Sequence, residues 1–184
     1  MDKDFTPTKE TISLHGLGFI QIVLGANQRM HIWHPELPRR NCYEHSAIHN
    51  HRFSFMSRVL KGVQISQRCD LEIVKPDTGT HQLISHNGPR SERGGRLSYP
   101  VADVNVLMHP EKRYEAGASY AVPEYEYHHT PCKGIVVTLI QKMSEGTIHA
   151  SSVCRRGVDF HYDFDRFQLS PAHLFEYVVD ALDA

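Results

Sequence analysis

Histidine is the residue type with the clearest capacity for chemistry in this sequence, and its arrangement suggests a metal site. The chain has 14 histidines in 184 residues, and neutral imidazole is a common metal ligand. His49 and His51 stand two apart in AIHNHRFSF, residues 47–55. In an extended strand both side chains point to one face, so one ion could bridge them. About one His-x-His pair is expected by chance in such a chain, so a further ligand is needed.

A third ligand must come from a segment that is close in space and remote in sequence. GASYAVPEYEYHHTP, residues 117–131, offers His128 and His129. The two cannot both face inward if this segment is extended, because neighbouring side chains of a strand point to opposite faces. Extended geometry by itself leaves both histidines open as the third ligand.

The elements that must position these histidines are predicted to be short strands. Turn-like GANQ and KG each separate two strand-like runs, and each predicts a hairpin. The predicted strands lie at residues 19–24, 29–34, 52–60, 63–74, 81–85, 104–108, 118–122 and 134–141. Many short strands with frequent turns are typical of an antiparallel sandwich or barrel, and so of an all-β fold.

HNGPRSERGG, residues 86–95, predicts a long, mobile surface loop because it is polar, basic and rich in turn residues. Its basic part, residues 90–96, could contact phosphate, but a solvated loop is the prediction here. A helix is predicted at about 170–183, where Ser170 can cap and Pro171 suits the first helical position. The predicted apolar face of this helix consists of Leu174, Phe175, Val178, Val179 and Leu182.

A second, poorly signalled helix is predicted around residues 7–15. With no repeat and no linker, the whole chain is predicted to be one domain, residues 1–184, with its core at about 17–155.

Composition excludes several classes of partner. The formal net charge is -1, with 40% hydrophobic and 22% charged residues, which gives no electrostatic case for nucleic acid or a membrane surface. The longest apolar run is far too short to span a bilayer. The opening MDKDFTPTKE is unlike a signal peptide. The four cysteines are widely spaced, so reduced thiols in a cytoplasmic protein are expected.

The histidines and glycines together resemble the two sequence motifs of the cupin superfamily. His49, His51 and Gly62 match the spacing of the first motif, and Gly117, Pro123 and His128 match the second. The resemblance covers about residues 45–142. It implies a double-stranded β-helix, or jelly-roll, barrel. It also implies a metal ion held by His49, His51 and His128, with His129 facing outward.

Departures from the two motifs indicate which branch of the cupin superfamily the chain resembles. The glutamate of the first motif is missing, since Phe55 and Met56 occupy its place. In the second motif Tyr125 replaces a glycine and Cys132 replaces an asparagine. A ligand set of three histidines without the glutamate resembles that of the cysteine dioxygenase branch of cupins, whose members bind iron through three histidines. That branch's Ser-His-Tyr set has no match in this chain.

The resemblance implies a mononuclear non-haem iron(II) dioxygenase that uses O2 and a small thiol- or carboxylate-bearing substrate. The substrate-binding arginine of the branch lies upstream of the first motif, where Arg29, Arg39 and Arg40 are candidates. Arg29 is chosen because it begins a predicted strand. Tyr125 or Tyr127 could act as a proton donor to the substrate.

Two other interpretations stay open from the sequence. The same ligands could bind Zn, Ni or Mn in an isomerase or lyase, since ligand type does not identify the metal. The barrel could also be a non-catalytic module that binds a small ligand or protein partner. A homodimer is expected from the resemblance alone.

Overall fold

The computed structural model describes residues 6–183, and most of its regular structure is β-strand. Its strands are β1 (Ile12–His15), β2 (Phe19–Val23), β3 (Gln28–Trp33), β4 (Phe53–Lys61), β5 (Val63–Val74), β6 (His81–Arg90), β7 (Arg96–Met108), β8 (Lys112–Glu115), β9 (Ser119–Val122), β10 (Tyr127–His129), β11 (Val136–Glu145) and β12 (Ser151–Arg155). The helices are α1 (Tyr43–Ser46) and α2 (Pro171–Asp183).

The strands form two six-stranded antiparallel sheets. One has the order β1-β2-β3-β11-β4-β9; the other has β10-β5-β7-β6-β12, with β8 also paired to β5. The ribbon β4–β5 passes from the first sheet to the second, and its partner ribbon β8–β9 makes the opposite passage alongside it. Two antiparallel ribbons wound together in this way make a jelly-roll barrel. The predicted fold class is confirmed: an all-β, jelly-roll barrel with a C-terminal helix.

Alternation along the first sheet separates two environments. In β3, Arg29, His31 and Trp33 line an internal cavity, whereas Ile32 is buried on the opposite face. The same period of two operates in β2 and β11, as expected for a pleated strand. The barrel interior is therefore partly polar, and a large part of the apolar packing lies outside it.

Helix α2 covers the apolar outer face of the first sheet. Leu174, Val178 and Ala181 are buried there against side chains such as Ile12 and Leu14 of β1. Ser170 caps the helix as predicted, because its hydroxyl accepts a hydrogen bond from the amide of His173 at 3.2 Å.

The predicted helix face was partly wrong. Val179 and Leu182 are 44% and 43% exposed, and the small Ala181 is buried in their place. Leu174, Val178 and Ala181 follow one another at intervals of four and three residues and so share one face of the helix, which Val179 and Leu182 flank. None of the helices described in residues 6–183 is long and apolar enough to cross a membrane.

Two further local predictions were wrong. Residues 12–15 form strand β1 rather than a helix, because Ile12 and Leu14 alternate with half-buried residues and pair with β2. The first sheet thus begins upstream of residue 17. Residues 86–95 are mostly a β-hairpin, since β6 extends to Arg90 and β7 begins at Arg96. Cross-strand pairing satisfies backbone groups that the polar composition had suggested were left to solvent.

Candidate metal centre

His49 and His128 are direct partners in a short antiparallel bridge. The amide of His49 donates to the carbonyl of His128 at 3.1 Å, and the amide of His128 donates to the carbonyl of His49 at 2.9 Å. Residues directly opposed across antiparallel strands carry their side chains on the same face. This register gives residue 128, rather than residue 129, a common face with His49.

Alternation brings His51 to the same side as His49. Asn50 between them turns away, and its side-chain oxygen accepts a hydrogen bond from the amide of Ser151 at 2.7 Å. The carbonyl of His51 accepts from the amide of Tyr125 at 2.8 Å, which ties this segment to the chain entering β10. The segment pairs in the manner of a strand at His49, and β4 itself begins two residues after His51.

The three imidazoles form one cluster that could hold a metal ion. Each of His49, His51 and His128 offers a ligand nitrogen, and these nitrogens lie within 4.8 Å of one another. The ring centroids are 4.8 Å apart for His49–His51, 4.6 Å for His49–His128 and 5.2 Å for His51–His128. The cluster contains no carboxylate or thiol from the described residues.

Backbone hydrogen bonds set the tautomer of two of these rings. Nδ1 of His49 lies 2.9 Å from the carbonyl oxygen of Ala47, and Nδ1 of His128 lies 3.2 Å from that of Glu126. A carbonyl oxygen can only accept, so each Nδ1 carries the proton. Nε2 then keeps its lone pair, which is the form that binds a metal.

Burial keeps the cluster uncharged near neutral pH. Loss of solvation lowers the pKa of His128 to about 4. The same loss of solvation, followed by repulsion from His128, holds the pKa values of His49 and His51 well below the ordinary 6.5. Three neutral imidazoles would leave the charge of a divalent ion uncompensated by the protein.

The cluster opens into a cavity of about 510 Å³, a volume typical of small-molecule sites. Aromatic rings form one side of the cavity: the Phe53 and Phe55 ring centroids each lie 5.2 Å from that of His51. The cavity can therefore hold a small ligand directly beside the imidazoles.

The candidate residues other than the histidines divide into two groups. Arg29 lines the cavity, and its guanidinium lies 5.7 Å from the Phe53 ring centroid. Tyr125 and Tyr127 are absent from the described cavity wall. The Tyr125 hydroxyl accepts from the amide of Ile148 at 2.8 Å, and the Tyr127 hydroxyl bonds to Ser151 at 2.6 Å. Neighbouring strand residues point to opposite faces, so Tyr127 turns away when His128 turns in.

His129 lies outside the cluster, as the motif spacing predicts. It lines a separate surface depression together with Glu44. Burial lowers the pKa of His129, and the charges of Glu111 and Glu44 partly oppose that shift. The four cysteines are free.

The sequence reasoning missed several polar residues of the cavity wall. Arg90 and Arg96 belong to the segment predicted as a solvated loop, yet both line the cavity. Arg166 comes from the connection before α2, where no pattern distinguished it. Tyr120 of β9 also lines the cavity, and burial raises the pKa of its hydroxyl. Their basic or aromatic character was visible, but their convergence was not.

His86 on the same wall makes stability depend on pH. Its two ring nitrogens lie 2.7 Å from the hydroxyls of Ser98 and Ser152. Burial, reinforced by the charge of Arg40, lowers its pKa from 6.5 to about 4. The unfolded chain therefore binds the proton first as the pH falls. The stability contributed by neutral His86 is fully present above about pH 6.5 and is lost as the pH falls towards 4.

We expect His86→Gln to show a shallower loss of unfolding free energy between pH 6.5 and 4 than the unchanged chain. Urea titrations at several pH values, with chelator present, measure that slope. His45→Gln, at an exposed position, serves as the matched control and should retain the original slope. Equal slopes for His86→Gln and the unchanged chain would contradict the assignment.

Fold and cluster together define the molecule as a jelly-roll barrel with three imidazoles beside its cavity. No family model matches the chain, and no curated protein matches it. One solved structure with some likeness is the crystal structure of hydroquinone 1,2-dioxygenase from Sphingomonas sp. TTNP3 with 4-hydroxybenzoate bound.

That structure is 11% identical, with a TM-score of 0.32, over 67% of this chain and 63% of its own. The chain thus spans less than two thirds of that protein. A likeness this weak carries no argument about activity.

Proposed function

We propose that this chain is a metal-dependent cupin in which His49, His51 and His128 hold one divalent ion. We further propose that the ion is iron(II) and that the protein is a mononuclear non-haem dioxygenase for a small thiol- or carboxylate-bearing molecule. The observation that carries the proposal is the meeting of three neutral imidazoles within 4.8 Å of one another beside a ligand-sized cavity.

The donor set fits a catalytic ion better than a structural one. Structural zinc sites are closed by four protein ligands, whereas this cluster offers three. The hydrogen bonds from Nδ1 of His49 and His128 to carbonyl oxygens supply the outer support that metal-bound histidines generally have. A divalent iron held there would supply redox chemistry and open coordination positions for substrate and O2.

The cavity wall would orient the substrate and keep water away from it. Phe53 and Phe55 present aromatic surface beside His51, which favours the carbon part of a small molecule. Arg29 shares the cavity and can pair with a substrate carboxylate in a bidentate manner. A thiolate or carboxylate would also offset the positive charge that neutral imidazoles leave on the ion.

Metal content and oxygen consumption test the proposal. We expect chain purified without added metal to contain iron, and to consume O2 when given cysteine, 3-mercaptopropionate or a related thiol. His51→Ala should lose both properties and serves as the matched negative control. Elemental analysis and an oxygen electrode provide the two measurements.

The outcomes separate the alternatives. Bound zinc, nickel or manganese, with no O2 uptake for any thiol or carboxylate, would replace the dioxygenase with an isomerase or lyase on the same ligands. A chain that binds no metal even when iron, zinc, nickel and manganese are added would instead be a non-catalytic binding module.

A further inference from the structure

The cavity wall carries a large excess of positive charge, although the chain as a whole has a net charge of -1. Seven cationic side chains line it against one carboxylate, that of Glu145, among the residues that the structure describes. The cationic residues are Arg29, Arg40, Arg52, Arg90, Arg96 and Arg166, together with Lys142. Such a concentration of one sign in a cleft focuses the field on oppositely charged ligands.

The single carboxylate is already shared by two of these cations. Glu145 pairs with Arg52 at 2.7 Å and with Lys142 at 3.2 Å. None of the other five cations of the wall has a carboxylate within 4.0 Å among residues 6–183; Arg29, Arg90 and Arg166 are three of them, and the other two, Arg40 and Arg96, donate to backbone carbonyls.

The hydrogen bonds of those three guanidinium groups go to neutral groups, although the charge of Glu145 also acts favourably on Arg29 and partly opposes the lowering of its pKa by burial. Arg29 donates to the side chain of Gln21 at 3.2 Å, and Arg90 donates to the carbonyl of Gly94 at 2.6 Å. Arg166 donates to the Leu14 carbonyl and the Ser13 hydroxyl, each at 3.0 Å. These contacts orient the guanidinium groups without neutralising any of their charge.

The three arginines also repel one another across the cavity. Burial lowers the pKa of Arg166 to about 10, and the charges of Arg90 and Arg29 act in the same direction. The pKa of Arg90 is lowered first by burial and then by repulsion from the charges of Arg96, Arg29 and Arg52. Like charges held near one another without a counterion are unfavourable, most of all at the partly buried Arg29 and Arg166, and a bound anion would relieve that cost.

We propose that Arg29, Arg90 and Arg166 form one oxyanion-binding subsite in the cavity. The ligand is a small organic molecule that carries at least two negative charges, as a dicarboxylate or a phosphate monoester. Arg29 is the arginine already proposed to pair with the substrate. The subsite adds Arg90, on the β6–β7 hairpin, and Arg166, in the segment before α2. Its link to catalysis rests on the proposed function, whereas its binding of anions does not.

The three arginines of the subsite indicate how many negative charges the ligand carries. One carboxylate can form a bidentate pair with one guanidinium, which leaves two of the three arginines without a counterion. Arg90 is exposed and so lies at the open side of the cavity, whereas Arg29 and Arg166 are partly buried. A ligand with two or more negative charges can therefore contact Arg90 at the opening and Arg29 and Arg166 deeper in the cavity. The cavity volume of about 510 Å³ limits this ligand to a small molecule.

Calorimetric titration with matched anions tests the subsite. Succinate, propionate and inorganic phosphate are titrated into the full chain and into His51→Ala, which removes a proposed metal ligand. We expect succinate to bind at least about tenfold more tightly than propionate, because a second charge-assisted contact is worth that much. Stronger binding of phosphate than of succinate would assign the ligand to the phosphate monoesters, and the reverse to the dicarboxylates.

Arginine variants show where the anions bind. Arg90→Gln should weaken the preferred anion about tenfold or more, and Arg90→Lys should recover part of that loss because charge without the planar fork remains. Arg113→Gln removes the same charge from an exposed position on β8 outside the cavity and should change affinity less than twofold. Arg166→Lys tests the deeper contact, with circular dichroism confirming its fold.

The proposal is overturned if no anion binds, or if Arg90→Gln and Arg166→Lys bind the anions as the unchanged chain does. It is also overturned if anion binding disappears in His51→Ala, since the anion would then be bound to the metal. Failure of the metal and oxygen tests with anion binding intact would refute only the proposed function.

Discussion

His128→Ala is expected to abolish metal binding by this chain, whereas His129→Ala is expected to leave it intact. Residue 128 faces His49 across the two-hydrogen-bond bridge, and its Nε2 is left free by the bond from Nδ1 to the Glu126 carbonyl. Loss of an outer partner of a metal ligand already lowers affinity about 10–100-fold. Loss of one of only three ligands should exceed that range.

The comparison can be made by elemental analysis and by competition with a chromophoric chelator on folded protein. His129→Ala is a closely matched control, because it removes an imidazole from the adjacent position that faces the other way. Both variants should stay folded, since buried apolar side chains provide most of the stability. Metal retained by His128→Ala and lost by His129→Ala would shift the bridge register by one residue and set His129 opposite His49.

Gly62→Ala is expected to lower the free energy of unfolding more than the same substitution does at Gly117 or Gly134. Gly62 turns the chain between β4 and β5 with φ of 76°, in the left-handed region that favours glycine. A Cβ atom at this position would lie 2.3 Å from the carbonyl oxygen of Ile135. Conformational strain of about 1–3 kcal/mol then adds to a backbone overlap costing about 1–3 kcal/mol to relieve.

Substitutions at the two other glycines distinguish the conformational strain from the backbone overlap. Gly117 has φ of 92° but nothing within 4 Å of an added Cβ, so Gly117→Ala should show conformational strain alone. Gly134 has open space and no such φ, so Gly134→Ala should change the unfolding free energy by less than about 0.5 kcal/mol. Urea unfolding of the three variants gives the order. A Gly62→Ala variant no less stable than Gly117→Ala would show that the tight contact with Ile135 is absent.

Short-range patterns predicted much of the secondary structure. Hairpins at GANQ and KG, and a helix beginning at Pro171, follow from turn chemistry, alternation and capping, which act over a few residues. The prediction failed where the same local pattern had two solutions. Residues 12–15 fit either a helix or a strand until pairing with β2 decided between them, and the polar hairpin containing Arg90 resembled a loop.

The candidate site shows the same division. The resemblance to the cupin motifs implied that His49, His51 and His128 meet, whereas strand alternation by itself left His128 and His129 open. The bridge between His49 and His128 brings residue 128 to the face of His49. Tyr125 and Tyr127, chosen for their positions beside the second motif, are not among the residues that line the cavity, although the Tyr127 hydroxyl bonds to Ser151, which does line it.

The sequence by itself determined that this protein is all-β, because strand alternation and turns are local properties, and its motifs implied by resemblance which histidines would meet. Only the tertiary structure decided which faces look into the cavity and which lie under α2, since both faces of a strand such as β3 obey the same alternation. Tertiary structure also assembled Arg29, Arg90 and Arg166 into one charged wall. Their convergence depends on long-range packing, and no short stretch of sequence encodes it.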